Sequence, residues 1–347
     1  MKRLLLLSGV LFSLLSTLLY GQIPANYYTS AEGKKERELK TEIYKCIKSH
    51  QPLSYSQLWT AFRTTDVKPN GRVWDLYDNT TNYVFGDDQD KGTGNQDTYN
   101  REHSFPKSWF GSQSSSPMYT DLFHLYPCNT GANSKRGNLP FGKITGDVTW
   151  SNGYCKMGQM TTAGFSGTVF EPADEIKGDL ARTYFYFATR YENEDFSKWI
   201  TTPMTVKNKY PFYQSWVIDQ LLDWHRNDPV SEREITRNEA VFKLQGNRNP
   251  FIDYQLLAEH IWGNKKEEAW YISTNAISQN TTSTLKIYSA ENNLIIANAS
   301  VGSAIFIYDI TGKLLIQRII NDQKEIIPIK SGSYIIRIGS ETFKMIH

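Results

Sequence analysis

The sequence predicts an α+β protein in two parts, a mixed α/β body followed by a small all-β sandwich. From about residue 22 to residue 268, apolar residues recur at helical spacing in some segments and form short β-like runs in others. Past about residue 272 tryptophan stops, and short β-branched runs separated by turn residues take over. The chain has 347 residues, which is long for one domain, and its 14% aromatic content gives ample material for a core.

Residues 1–21, MKRLLLLSGVLFSLLSTLLYG, set Lys2 and Arg3 before a leucine-rich run that ends on glycine, the pattern of a signal peptide. The run is short for a membrane span, and no later segment is long and apolar enough to cross a bilayer. The mature chain is therefore expected to be exported, soluble and monomeric. Removing the leader takes away two basic residues and no acid, which leaves 36 Lys and Arg against 36 Asp and Glu. A global basic field is absent, so any contact with nucleic acid must rest on a local patch.

Within the body, Leu39, Ile43, Cys46 and Ile47 recur at helical spacing, as do Leu180, Ala181, Tyr184, Phe185 and Ala188. YQSWVIDQLLDWHR (213–226) and QLLAEHIW (255–262) also read as helices, and Val73–Tyr77 and Asp147–Trp150 as short strands. Long polar loops run over Gly86–Asp97 and Gly111–Pro117. Asp87, Asp88, Asp90 and Asp97 lack the spacing of an EF-hand, so the first loop reads as solvated rather than as a Ca²⁺ site. Of the three cysteines, Cys46, Cys128 and Cys155, the last two are the expected disulfide pair in an exported chain. In the last part, LKIYS, NLIIANA, AIFIYDI, KLLIQRII, EIIPI, SYIIRIG and FKMIH read as strands, with DITG (309–312) as a hairpin turn.

Chemistry concentrates in two stretches. YNREHSFPKSWF (99–110) places Glu102 beside His103, with Arg101 before them and rings and a proline behind. TDLFHLYPCNTGANSKRGNLPFG (120–142) adds Asp121, His124, Asn133, Lys135 and Arg136. From Tyr99 to Lys143 five basic residues stand against two acids. A carboxylate, an amide, a histidine and cations together suit phosphodiester hydrolysis. Oxygen ligands hold a hard divalent ion, the imidazole takes a proton from water, and an arginine binds phosphate oxygens. Rival motifs fail: H-E-x-x-H and G-x-S-x-G are absent, and GNLPFGKI (137–144) has Ile144 where a P-loop needs Ser or Thr.

These two stretches resemble the signature segments of the bacterial endonuclease I family of secreted and periplasmic non-specific nucleases. FEPADEIKGDLARTYFYFATRYE (170–192), LLDWHRNDPVSERE (221–234) and GNRNPFIDY (246–254) match as well, so the similarity covers most of residues 22–268. The resemblance implies a ββα-metal element, in which a strand presents the base and a helix presents a metal-binding amide. It places the general base on His103 and the metal ligands on Glu102 and Asn133. Arg136 is taken as the phosphate contact. The implied ion is Mg²⁺, with Mn²⁺ or Ca²⁺ as alternatives, and the substrate is DNA, with RNA left open. The family's paired histidines are replaced here by Phe123 and His124, which leaves the role of His124 open; His124 and His225 read more readily as structural. Successive side chains on a strand alternate faces, so Glu102 and His103 can serve one site only if the strand twists or bulges.

Residues 272–347 resemble the C-terminal sorting domain of the type IX secretion system, carried by IYDITGKLL (307–315), KSGSYIIRI (330–338) and Lys344. This implies the secretion machinery as a partner and a place outside the cell or on its surface. The alternatives are a different secreted phosphoesterase and a non-catalytic binding protein displayed at the surface.

Overall fold

The computed structural model describes residues 23–272, 286–290, 293–297, 303–320, 322, 324–330, 332–338 and 341–346; the expected signal peptide lies outside them. Helix and sheet are mixed, and the chain divides into two compact units, Met1–Asn275 and Ala276–His347. In chain order the first unit holds α1 (Glu36–Ile47), α2 (Leu58–Thr65), β1 (Tyr99–His103), β2 (Leu125–Asn129) and α3 (Thr130–Arg136). These are followed by β3 (Val148–Ser151), β4 (Lys156–Thr162), β5 (Phe165–Glu171), α4 (Lys177–Arg190), α5 (Ser215–Asn227), α6 (Glu232–Gln245), α7 (Pro250–Asp253) and α8 (Leu257–Ile261).

The core of this unit forms around α4. Every residue of that helix from Gly178 to Arg190 is buried, as expected of a helix enclosed on all sides. Its polar members are paired within the protein: the Arg182 guanidinium donates to Glu234 and Asp179. Helices α1, α5 and α7 pack against it. The amphipathic pattern of α1 is realised, with Leu39, Ile43 and Ile47 fully buried and Cys46 half-buried.

The expected strand over Val73–Tyr77 does not form. Val73 makes one isolated bridge with Val67, Leu76 donates a single backbone bond to Pro127, and the Asp75 carboxylate takes the Tyr77 N–H. A side chain that caps the backbone here takes the place of a ladder. Strands β3, β4 and β5 form an antiparallel meander, with β3 falling close to the predicted Asp147–Trp150. All three cysteines are free, so the expected Cys128–Cys155 bond is absent; each of the two sulfurs is buried within the core.

Strands β1 and β2 make a separate two-stranded antiparallel ribbon, in register from Tyr99 opposite Asn129 to His103 opposite Leu125. Helix α3 starts at the next residue. Asn129 caps it by accepting from the Ala132 N–H at 2.8 Å, and Gly137 ends it at φ 52°, a conformation that strains other residues.

The second unit has seven described strands: β6 (Lys286–Ala290), β7 (Asn293–Ala297), β8 (Ala304–Asp309), β9 (Leu314–Ile319), β10 (Lys324–Pro328), β11 (Ser333–Ile338) and β12 (Glu341–Ile346). They form two antiparallel sheets, in orders β10-β7-β6 and β12-β11-β8-β9. Leu294 and Ile296 from one sheet, and Ile305, Ile307, Ile336 and Ile338 from the other, belong to one buried cluster, as period-2 alternation requires. The predicted turn joins β8 to β9: Asp309 accepts from the Thr311 and Lys313 N–H groups, and Gly312 takes φ 84°. Among the described residues no helix is long and apolar enough to cross a membrane.

Candidate active site

The strand–strand–helix unit brings the expected residues together. On β1, Asn100 and Glu102 share one face and Arg101 and His103 the other. On α3, Asn133 and Arg136 are three apart and so share a face. The two faces meet. The Asn133 amide donates to Asn100 Oδ1 at 2.7 Å, and Arg136 Nη1 donates to Glu102 Oε1 at 3.0 Å. A cleft of about 290 Å³ opens here, lined by Asn100, Arg101, Glu102 and His103 in succession, together with Tyr55, Trp59, Lys107 and Asn133. Four successive strand residues can line one cleft because β1 is paired to β2 along one edge and, among the described residues, no strand pairs with its other edge beyond Tyr99. Of the two alternatives, a twist or a bulge, the bulge is absent: the β1–β2 register runs without one.

Glu102 is 4% exposed. The Tyr77 hydroxyl donates to its Oε1 at 2.7 Å alongside Arg136, so both bonds fall on one carboxylate oxygen. Burial pushes the carboxyl up, and the guanidinium and phenol draw it back. Asn133, half-buried, spends its N–H on Asn100, and no protein donor meets its Oδ1 among the described residues.

His103 is held by its surroundings. Its Nε2 lies 3.0 Å from the Tyr119 carbonyl oxygen. A carbonyl can only accept, so Nε2 carries the proton and Nδ1 keeps its lone pair. The ring packs against Tyr55, Tyr119, Phe110 and His124, with centroids 5.2–6.5 Å away. Burial, then the nearby His124, Lys107 and Arg101, holds the imidazole well below its usual value of 6.5, against the pull of the Tyr119 carbonyl. It is therefore neutral near pH 7. The rings after His103 fix the exit of β1: Phe105 is fully buried and stacks on Phe187 with centroids 3.9 Å apart, and Trp109 and Phe110 join the same core.

Arg136, expected at a phosphate, lies beneath Glu102. It is 1% exposed, Nη1 is shared among Glu102, the His103 carbonyl and the Gly137 carbonyl, and Nη2 donates to the Ser104 carbonyl at 2.5 Å. It orients the carboxylate and ties β1 to α3. His124 is fully buried, donates from Nε2 to the Met118 carbonyl at 2.6 Å and packs beside His103. His225, near the end of α5, donates to the Gln255 carbonyl. In the 86–97 loop the Asp88 and Asp90 carboxylates accept backbone N–H groups, and among the described residues no group of three His, Cys, Asp or Glu is arranged to hold a metal.

Sequence reasoning missed Asn100, Tyr77, Tyr55 and Trp59. Strand alternation from Glu102 could have found Asn100. The other three lie 25 or more residues before Glu102 and carry no local signal.

The chain matches the Endonuclease I family over residues 16–255. It is 36% identical over 240 residues to the extracellular ribonuclease of Bacillus subtilis, covering 68% of this chain and 78% of that one. The chain belongs to the Endonuclease I family. It is a nuclease, a hydrolase of nucleic acid. The nuclease is also 34% identical over 241 residues to the extracellular ribonuclease of Bacillus amyloliquefaciens, with the same coverage. It is 28% identical over 138 residues to an extracellular deoxyribonuclease of Aeromonas hydrophila, covering 40% of this chain and 50% of that one. Nucleases of this family generally depend on a divalent metal. The donors present fit one: a carboxylate and an amide oxygen on adjoining elements are hard ligands.

Proposed function

We propose that this chain is an exported, Mg²⁺-dependent endonuclease that cuts DNA, and RNA as well, with little regard to sequence. The observation that carries the reading is His103: neutral, locked through Nε2 by the Tyr119 carbonyl, with no protein hydrogen bond on Nδ1 among the described residues, and in the lining of a cleft shared with Glu102 and Asn133. In the mechanism His103 Nδ1 accepts the proton of the attacking water. Glu102 and the Asn133 amide oxygen would hold the divalent ion, which would supply positive charge for the phosphate and the leaving oxygen. Arg136 and Tyr77 fix Glu102, and burial of the His103 ring keeps it unprotonated. The cleft carries cations and amides and no recognition helix, which favours contacts to phosphate over base edges. The relatives' names, extracellular ribonuclease and extracellular deoxyribonuclease, support export and both substrates. The second unit, with its two sheets and shared apolar cluster, is read as a β-sandwich that directs type IX export.

The test is digestion of plasmid DNA and of RNA by the wild type, with and without EDTA, beside His103→Ala. EDTA should abolish cutting, and His103→Ala should lower the rate by roughly 10²–10⁴-fold while still binding Mg²⁺ by calorimetry. Wild-type rates in His103→Ala would remove it as the base.

A further inference from the structure

We propose that Arg101 grips the nucleic-acid backbone at the phosphate next to the scissile one, a role that rests on the nuclease reading of the cleft. Arg101 leaves β1 on the same face as His103, about 6.6 Å back along the strand. Its guanidinium carbon lies 3.5 Å from the Tyr55 ring centroid and 4.2 Å from that of Trp59, and Nη1 donates to the Tyr55 carbonyl at 2.7 Å. Two rings and one hydrogen bond fix the plane of the group. Tyr55 also stacks on His103, with centroids 6.1 Å apart and planes 21° apart, so one ring spaces the cation from the base.

The charge of Arg101 is left unspent. Among the described residues four of the five buried arginines lie against carboxylates, Arg136 against Glu102, Arg182 against Glu234, Arg237 against Asp66 and Arg248 against Asp253, and the fifth, Arg190, meets the His50 ring. Among the described residues no carboxylate pairs with Arg101, although Asp90 and Glu102 line the same cleft; Asp90 accepts the Gly92 N–H and Glu102 is held by Arg136. Guanidinium carries five donors in a rigid fork, and the Tyr55 carbonyl takes one. A half-buried cation, held flat at the wall of a substrate cleft with its fork open, matches the oxygens of a phosphate. Stacking also removes most of the rotamer freedom that binding would otherwise have to quench. The scissile phosphate belongs to the water that His103 deprotonates, which must lie within hydrogen-bond reach of the imidazole. Arg101, pinned two residues back, meets the neighbouring phosphate instead.

The experiment compares wild type, Arg101→Gln, Arg101→Lys and His103→Ala. Substrates are a single-stranded 20-mer, in ribo and deoxyribo forms, and a dinucleoside monophosphate, which has one diester and no flanking phosphate. For Arg101→Gln, KM on the 20-mer should rise about ten- to a hundredfold with kcat little changed. The slope of log affinity against log salt should become shallower by about one, because one fewer cation releases counterions. Hydrolysis of the dinucleoside should stay at the wild-type rate. Arg101→Lys should restore the salt slope but not the full affinity, since an ammonium keeps the charge and lacks the fork. Unchanged KM and salt slope in Arg101→Gln, with His103→Ala inactive, would overturn the proposal and leave the nuclease reading intact. Equal loss on both substrates would overturn it too, placing Arg101 at the scissile phosphate or in a structural role. A wild type that cuts neither substrate would sink both readings.

Discussion

Tyr77→Phe removes a single oxygen from the site and isolates what that oxygen does. Tyr77 is fully buried and is not among the cleft-lining residues, so it can act on catalysis only through Glu102. Its ring packs against Phe170 and Phe141, and its backbone is held by Asp75 and Asn152; phenylalanine keeps all of these. What is lost is the 2.7 Å hydrogen bond to Glu102 Oε1. A hydrogen bond to a buried carboxylate contributes about 1.5–3 kcal/mol, equivalent to about ten- to a hundredfold in an equilibrium constant. Loss of a partner that orients a metal ligand falls in the same range. Calorimetric titration with Mg²⁺ should therefore show affinity lowered by about ten- to a hundredfold, with the nuclease rate recovering toward wild type as Mg²⁺ is raised. Tyr184→Phe is the control: its hydroxyl donates to the Ser104 carbonyl at 2.8 Å, so that variant should lose stability and keep its Mg²⁺ affinity. Unchanged affinity in Tyr77→Phe, or an equal drop in both variants, would refute the assignment of Glu102 as a ligand oriented by Tyr77.

Arg136→Met leaves Glu102 charged, buried and without its cation, which should lower stability by about 3–5 kcal/mol in urea denaturation; a change under about 1 kcal/mol would show that the pair is not a structural tie. Asp121 gives a pH test. Burial alone would raise its carboxyl, but His50, His124 and bonds from Gln245 and the Phe123 N–H bring it down to about 2 from 3.8. The unfolded chain then binds more protons between these values, so the stability this carboxylate contributes is lost as pH falls from about 4 toward 2. The gap in Tm between wild type and Asp121→Asn should accordingly narrow over that range, and a gap that does not narrow would contradict the assignment. A chain ended after Asn275 should keep its nuclease rate, because the residues of the cleft all lie in the first unit; loss of activity with retained fold would assign the second unit a part in catalysis.

The residues proposed to carry the chemistry could be picked out together because they belong to one local unit, 99–136, whose geometry depends on nearby periodicity. Strand alternation alone puts Asn100 with Glu102 and Arg101 with His103, and helical spacing alone puts Asn133 with Arg136. The two-part organisation was legible for a similar reason: a period-2 pattern and the end of tryptophan are properties of short windows. Local pattern cannot say which edge of a strand stays free, and that edge lets both faces of β1 serve one cleft. Nor can it say which charges are covered. Arg136 and Arg101 read alike as cations beside a catalytic pair. Packing from Phe141 and Tyr184 buries the first under Glu102, while Tyr55 and Trp59 hold the second open to the cleft. The neutrality of His103 is likewise a sum over Tyr55, Phe110, Tyr119 and His124, which are brought together only by folding. Val73–Tyr77 looked like a strand by composition and failed to become one because Asp75 captured the Tyr77 N–H. That bend is also what delivers the Tyr77 hydroxyl to Glu102, from 25 residues away.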